Sequence, residues 1–222
     1  MQVGSVIASG RDCHILDAGA GKVVRRARDG RSLEREASVM RHARRNGFPA
    51  PEVFDADGPD ILMERIDGPT MMQDAARRPW RVRSHARLLA ELLRTLAGVR
   101  ALGWLPAAEG CLGSGLLHLD LHPLNVLLTG DGPRVIDWAN ASRGAPGADL
   151  ANTWLTMAVA PMPQLLPRVL RRRMVWAFLD HVDLETARPY LAAIAERRRA
   201  DRYVLDAERA DIDRLVTRET RG

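Results

Sequence analysis

Two short runs decide the fold: His118-Leu119-Asp120-Leu121-His122-Pro123-Leu124-Asn125, and Val135-Ile136-Asp137-Trp138, whose aspartate follows Asn125 by twelve residues. The pattern H-x-D-x-x-x-x-N sets a carboxylate and a carboxamide five residues apart on a loop, and a second carboxylate after the next hairpin can face both. Phosphoryl transfer needs this set, because one carboxylate orients and deprotonates the attacking hydroxyl while other oxygen ligands hold Mg²⁺ against the nucleotide phosphates.

The two runs resemble the catalytic loop of the protein-kinase-like superfamily. The His-Pro pair, Asn125 and the Ile-Asp-Trp ending are similar to those of the aminoglycoside phosphotransferase family, and the resemblance covers nearly all of residues 1–200. It implies that Asp120 is the catalytic base and that Asn125 and Asp137 bind Mg²⁺. It also implies that Asp149, in Gly147-Ala148-Asp149-Leu150, braces the catalytic loop.

The first third of the chain predicts a small sheet with one helix. Residues 1–31 alternate short β-compatible runs with glycine-bearing turns, which is typical of an antiparallel meander. Apolar residues at helical spacing then mark a helix from about Ser32 to Asn46. Two further strands are predicted at 52–54 and 61–64, so this part should hold five strands and one helix.

Beyond that point the pattern becomes mainly helical. Leucines at helical spacing predict a helix over residues 85–101, and two or three more helices are expected after Ala148. Between them, short strands are predicted at 116–119, 126–128 and 135–136.

The predicted fold class is therefore α+β, a protein-kinase-like bilobal fold. We expect an N-terminal nucleotide-binding lobe at residues 1–66, with a five-stranded antiparallel sheet and one helix. A mainly helical C-terminal lobe at residues 67–222 should carry the catalytic loop and the acceptor site.

The resemblance also implies a cation on the third strand, paired with a helix glutamate, that clamps the nucleotide phosphates. Matching the strand pattern puts Arg25 where a lysine is usual, with Glu36 as its partner. Alternation along the strand places Val23 and Arg25 on one face. An arginine can bind phosphate bidentately, but it is bulkier and planar, so the nucleotide is expected to sit differently or turn over slowly.

The run Ile61-Leu62-Met63-Glu64-Arg65-Ile66-Asp67-Gly68 resembles the hinge of the same family. The resemblance implies that Met63 borders the adenine pocket and that Glu64 and Ile66 offer backbone hydrogen bonds. The function implied is an ATP-dependent small-molecule phosphotransferase that uses Mg²⁺ and acts on a hydroxyl acceptor.

Composition and charge narrow the class of protein further. The chain of 222 residues is 46% hydrophobic and 27% charged, which suits an ordinary globular protein. Its net charge is +5, but of 33 basic residues only Lys22 is a lysine, the arginines are scattered and aromatic residues are 5% of the chain. This pattern does not favour a nucleic-acid partner.

Prolines and polar residues interrupt the uncharged stretch 150–167, and the N-terminus does not resemble a signal peptide. These features predict a cytoplasmic protein that does not span a membrane.

The same residues are compatible with two other functions. Arg25 in the lysine position, and a first hairpin without a diagnostic glycine pattern, also suit a nucleotide-binding pseudokinase with a regulatory or sensing role. A metal hydrolase is the third possibility, because His118, Asp120 and His122 would share one face if this segment were a strand. In the phosphotransferase interpretation, His118 holds the loop by a hydrogen bond and His122 packs within it.

Overall fold

The computed structural model describes residues 3–159, 168–201 and 204–220. Its strands are β1 (Val6–Ser9), β2 (Cys13–Gly19), β3 (Lys22–Ala27), β4 (Val53–Asp57), β5 (Asp60–Glu64), β6 (Gly115–Leu117), β7 (Val126–Thr129), β8 (Gly132–Val135) and β9 (Ser142–Gly144). Its α-helices are α1 (Glu34–Arg45), α2 (Met71–Arg77), α3 (Val82–Ala97), α4 (Pro146–Val159), α5 (Arg168–Leu179), α6 (Leu191–Ala200) and α7 (Asp206–Thr220).

The chain divides into two compact units. The first unit extends to Gly68 and adds Leu127–Ala139, and the second holds Pro69–Val126 and the residues from Asn140 onward. Packing thus groups the Ile-Asp-Trp segment with the first unit. The assignment of nucleotide and acceptor binding to separate lobes, divided after residue 66, stays a prediction.

The first unit contains the predicted five-stranded antiparallel sheet, in the order β1-β2-β3-β5-β4. Along β3, Arg25 stands opposite Ile61 of β5, and Val23 stands opposite Met63. The face with Val23 and Arg25 is also the face to which α1 brings Glu36. The alternation read from the sequence therefore puts Arg25 on the helix side of the sheet and Arg26 on the other.

The core of the second unit forms around α4. Nearly every residue of this helix is buried, whereas α3 buries one face, including Leu89 and Leu96. The expected helix at 85–101 begins about one turn earlier and ends at Ala97, with Gly98 as its C-terminal cap residue. After Ala148 the described residues hold α4 and three further α-helices, which is more than the two or three expected.

Two strand predictions in the middle of the chain need correction. The strand expected at 116–119 is β6, which ends at Leu117, because Leu119 has a left-handed backbone with φ of 55° that cannot continue a strand. The strand expected at 135–136 runs from Gly132 to Val135. None of the helices in the described ranges is long and apolar enough to cross a membrane, and residues 160–167 of the uncharged stretch lie outside those ranges.

Candidate active site

The loop after β6 is anchored on α4 by a buried carboxylate. Asp149 accepts the backbone N–H groups of His118 and Leu119, both at 2.7 Å. One turn further along α4, the Thr153 hydroxyl donates to the Leu121 carbonyl at 2.7 Å. These bonds fix the backbone on both sides of Asp120, at Leu119 and at Leu121.

Burial raises the pKa of Asp149 to about 6, although the two backbone hydrogen bonds act in the opposite direction. Its side chain is almost fully enclosed, and the charged form loses hydration there. Asp149 is thus a structural brace, as the resemblance implied, and it titrates below neutral pH.

Asp120 receives hydrogen bonds on both carboxylate oxygens. The ring atom Nε2 of His122 lies 3.3 Å from Oδ1, and the Asn125 amide nitrogen donates to Oδ2 at 3.1 Å and to the Asp120 carbonyl at 2.8 Å. Because Nδ1 of His122 accepts the Leu124 N–H, the proton of a neutral ring sits on Nε2 and points at Asp120.

The electrostatics of this loop keep Asp120 ionised. Burial raises the pKa of Asp120, but the hydrogen bond and charge of His122, helped by His118 and Arg198, outweigh it and leave the pKa below its ordinary value. The carboxylate is therefore negative at neutral pH, with about a quarter of its side chain exposed (23%). His122, for which only loop packing was expected, thus touches the carboxylate itself.

The metal hydrolase interpretation requires His118, Asp120 and His122 to lie on one face of a strand, and the structure does not show this arrangement. Residues 118–122 form no strand, and Nδ1 of His118 accepts the Asp120 N–H at 3.2 Å, the loop-holding role expected of it. Within the described ranges no three His, Cys, Asp or Glu side chains are grouped so that they could hold a metal ion.

In the first unit, Arg25 bridges two carboxylates. It forms an ion pair with Glu36 of α1, and its Nη2 donates to Oδ1 of Asp137 at 3.0 Å. Arg25 and Glu36 are largely buried, with 12% and 6% of their side chains exposed, whereas Asp137 is 45% exposed. The backbone of Asp137 is left-handed, with φ of 67°.

These three residues border a cavity of about 550 Å³ in the first unit. The hinge residues predicted from the sequence also line it: Met63, Glu64 and Ile66. The tight turn between β1 and β2 closes another side, where the Gly10 N–H donates to the Cys13 carbonyl at 2.8 Å. Every residue proposed for nucleotide binding therefore borders one cavity, whose volume is in the range of small-molecule sites.

Only some of the backbone N–H groups of the hinge form hydrogen bonds with neighbouring residues. The N–H groups of Glu64 and Arg65 donate to the carbonyls of Glu52 and Gly21 at 2.8 and 2.9 Å. The next N–H, that of Ile66, has no hydrogen-bond partner among the described residues. An N–H that borders a cavity and lacks a partner is available to a ligand.

Oxygen atoms remain for a divalent cation at two positions. The amide nitrogen of Asn125 is used by Asp120, so its Oδ1 is left over, and Asp137 engages Arg25 through Oδ1 alone. Carboxylate and amide oxygens are the ligands Mg²⁺ prefers, so the donor set at each position fits this metal.

Comparison of the sequence with family models identifies the family to which the chain belongs. The sequence profile of the phosphotransferase enzyme family matches the chain over residues 5–110 and 100–190. The probable serine/threonine-protein kinase PkwA of Thermomonospora curvata is 37% identical over 112 residues, which cover 48% of this chain and 14% of that protein. For serine/threonine-protein kinase AfsK of Streptomyces coelicolor the identity is 47% over 116 residues, or 50% of this chain and 12% of that protein. The chain thus spans only a small part of these curated relatives.

Solved structures share the fold along most of the chain. A thermostable mutant of aminoglycoside phosphotransferase APH(4)-Ia, in ternary complex with AMP-PNP and hygromycin B, has a TM-score of 0.68 at 17% identity and covers 100% of this chain and 96% of its own. The streptomycin-ATP complex of APH(2")-IIa has a TM-score of 0.63 at 13% identity, covering 89% and 83%. A choline/ethanolamine kinase family protein from Mesorhizobium loti gives 0.57 at 16%, covering 100% and 87%. These similarities confirm the predicted protein-kinase-like fold.

Proposed function

Because this chain belongs to the phosphotransferase enzyme family, we propose that it transfers the γ-phosphate of ATP to a hydroxyl group of a small-molecule acceptor, with Mg²⁺ as cofactor. The observation that carries the proposal is the setting of Asp120, a carboxylate kept ionised by hydrogen bonds from His122 and Asn125 on a loop braced by Asp149. Such a carboxylate can orient an alcohol and accept its proton.

Asp120 acts as the general base in this scheme. Phosphoryl transfer passes through a loose transition state, so the main task of the base is to aim the attacking oxygen and take its proton as the new bond forms. The two hydrogen bonds to its carboxylate fix the direction of the remaining lone pairs. A general base of this kind contributes about 10² to 10⁴ in rate.

Nucleotide binding is assigned to the cavity of the first unit. The Ile66 N–H and the hinge beside Met63 are the adenine-recognising elements, and Arg25 is the phosphate-binding cation that Glu36 holds in place. ATP or AMP-PNP is present in the aminoglycoside phosphotransferase complexes whose fold this chain shares, which supports a nucleotide here.

Asn125 and Asp137 are the residues proposed to hold Mg²⁺, each through an oxygen that no described residue uses. The metal, when bound, neutralises charge on the phosphates during transfer. Since Oδ1 of Asp137 already accepts from Arg25, this arginine orients the carboxylate and leaves Oδ2 as its available ligand atom.

A screen of purified protein tests the function. Wild-type protein is incubated with ATP, Mg²⁺ and a panel of hydroxylated acceptors, and ADP release is measured, with EDTA added in a parallel series. We expect Mg²⁺-dependent ADP release with at least one acceptor class. Tight ATP binding without acceptor-dependent ADP release would instead support the pseudokinase function that Arg25 suggested.

A further inference from the structure

The second unit has a cavity of its own, of about 680 Å³, next to the proposed base. Asp120 lines it together with Asn140 and with Asn152 of α4, and α6 supplies another wall. The inference drawn here rests on the proposed function, because it takes this cavity beside Asp120 as the place where the acceptor binds.

The polar residues of α4 form one stripe on a helix that is otherwise apolar. Asp149, Asn152, Thr153 and Thr156 stand at positions i, i+3, i+4 and i+7, which fall on one helix face. Two of the four, Asp149 and Thr153, are hydrogen-bonded to the loop that carries Asp120. The stripe therefore faces the catalytic loop, and its two other members need their own explanation.

Asn152 and Thr156 are both buried, at 6% exposure each, and neither finds a partner within the described residues. The amide nitrogen of Asn152 and the hydroxyl of Thr156 are each enclosed without a hydrogen bond. Buried polar groups are normally hydrogen-bonded, and an unpaired one destabilises the fold. The two differ in one respect, since Asn152 borders the cavity and Thr156 does not.

We propose that Asn152 is a specificity-determining residue of the acceptor pocket, and that it pairs with a neutral hydrogen-bonding group of the acceptor, a hydroxyl or a carboxamide, while another hydroxyl of the same molecule faces Asp120. An amide suits this role because it offers both a donor and an acceptor, and a half-turn of its end group exchanges them. The acceptor would thus complete a hydrogen bond that the folded chain lacks.

The charges around the cavity favour a neutral partner over an anionic one. Its two arginines are engaged by other side chains: Arg198 forms an ion pair with the buried Glu208 at 2.8 Å, and Arg197 donates to Asn140 at 3.2 Å. Glu109 and Glu196, also in the lining, add negative charge. A carboxylate or phosphate on the acceptor would meet repulsion here.

The test compares Asn152→Leu with Thr156→Val, which removes the other unpaired polar group of the same stripe. The probes are neutral polyhydroxylated compounds, with a sugar acid as the anionic comparison. Steady-state kinetics with ATP give the acceptor KM, the ATP KM and kcat, and thermal melts give stability. We expect Asn152→Leu to raise the acceptor KM about 10-fold or more, as for a lost hydrogen bond that leaves a ligand group unpaired. The ATP KM and the melting midpoint should not worsen, and Thr156→Val should leave the acceptor KM unchanged.

Two results would overturn the inference, and they are distinguishable. Equal acceptor kinetics for wild type and Asn152→Leu would show that the amide has no part in recognition, while the proposed function would stand. No phosphorylated product from wild type with any probe would instead remove the proposed function and this inference together. If the leucine variant does not fold, Asn152→Ser takes its place, with the same expected rise in acceptor KM and the same contradicting result.

Discussion

Asp120 and Asp137 are proposed to act on one phosphoryl group, yet the two carboxylates are held in different ways. Asp120 is fixed by hydrogen bonds from a histidine ring and an amide, on a loop tied to α4. Asp137 has a left-handed backbone conformation, its side chain is more exposed than that of Asp120, and it is held by an ion pair with Arg25. The proposed base is thus positioned by hydrogen bonds that need no ligand, whereas the proposed metal ligand is positioned by the charge of Arg25, which also pairs with Glu36.

The largest effect is expected from Asp120→Asn. The change keeps the shape of the side chain but removes the proposed base and leaves one acceptor oxygen for the two donors, His122 and Asn125, so kcat should fall by about 10² to 10⁴. ATP affinity should stay within about twofold, since the proposed nucleotide cavity does not include this residue. Coupled ADP-release kinetics and ATP-binding calorimetry measure both quantities. Asp131→Asn, in the exposed turn between β7 and β8, is the matched control, and phosphorylation by Asp120→Asn at the control's rate would contradict the assigned role.

Arg25→Met removes the cation that holds Asp137. It removes the cation from Asp137 and Glu36 and from the proposed phosphate site, so kcat/KM for ATP should fall about 10- to 100-fold, the range of a charge-assisted hydrogen bond. Arg26→Met is the matched control, because Arg26 lies next along β3 but faces the other way and pairs with Asp60. Equal losses in the two variants would mean that Arg25 has no specific role.

Asp149→Asn tests the carboxylate that braces the loop of the proposed base. An asparagine can accept only one of the two backbone N–H groups through its single oxygen, so the free energy of unfolding should fall by about 1–3 kcal/mol. The sign of the pH dependence follows from the pKa of Asp149, raised to about 6 in the folded state. The neutral carboxyl stabilises the fold at low pH, and this contribution is lost as the pH rises from about 4 through 6.

The stability gap between wild type and Asp149→Asn should therefore be larger near pH 4 than near pH 7. Urea unfolding at the two pH values measures it. A gap that widens toward neutral pH would show that the carboxylate, and not the neutral acid, is the favoured form in this site.

The smallest effect is expected from His122→Ala, about 3- to 10-fold in kcat at pH 7.5, the size of one hydrogen bond. Without the ring that lowers it, the pKa of Asp120 should rise, since burial then acts with less opposition. The acid limb of the kcat profile should consequently move to higher pH, while Asp120 keeps its bond from Asn125. A profile with an unmoved acid limb would show that His122 only packs, as the sequence alone suggested.

The sequence predicted the local part of this arrangement and only some of the tertiary contacts. The loop from His118 to Asn125 could be recognised because its polar residues lie within one short segment whose spacing is fixed by the chain. Arg25 and Glu36 lie on neighbouring elements, and their pairing was implied by the family resemblance, whereas strand alternation gave only that Arg25 shares a face with Val23. The end of β6 was misplaced, because nothing in the residue type of Leu119 signals a left-handed backbone.

Asn152 shows the limit of such reasoning. Its spacing from Asp149 and Thr153 is visible in the sequence, but whether a buried amide finds a partner depends on every element packed against it. The direction of the His122 ring likewise depends on the shape of the anchored loop. A stripe of polar residues on an otherwise apolar helix is the signal that could have pointed to Asn152.

The most direct test of the central claim is a ³¹P NMR time course of wild-type protein with ATP, Mg²⁺ and an acceptor identified by the ADP-release screen. We expect the γ-phosphorus signal of ATP to disappear and one phosphate monoester signal to grow for each ADP formed, with neither change in Asp120→Asn. Loss of the γ signal to inorganic phosphate alone, or monoester formation that persists in Asp120→Asn, would contradict it.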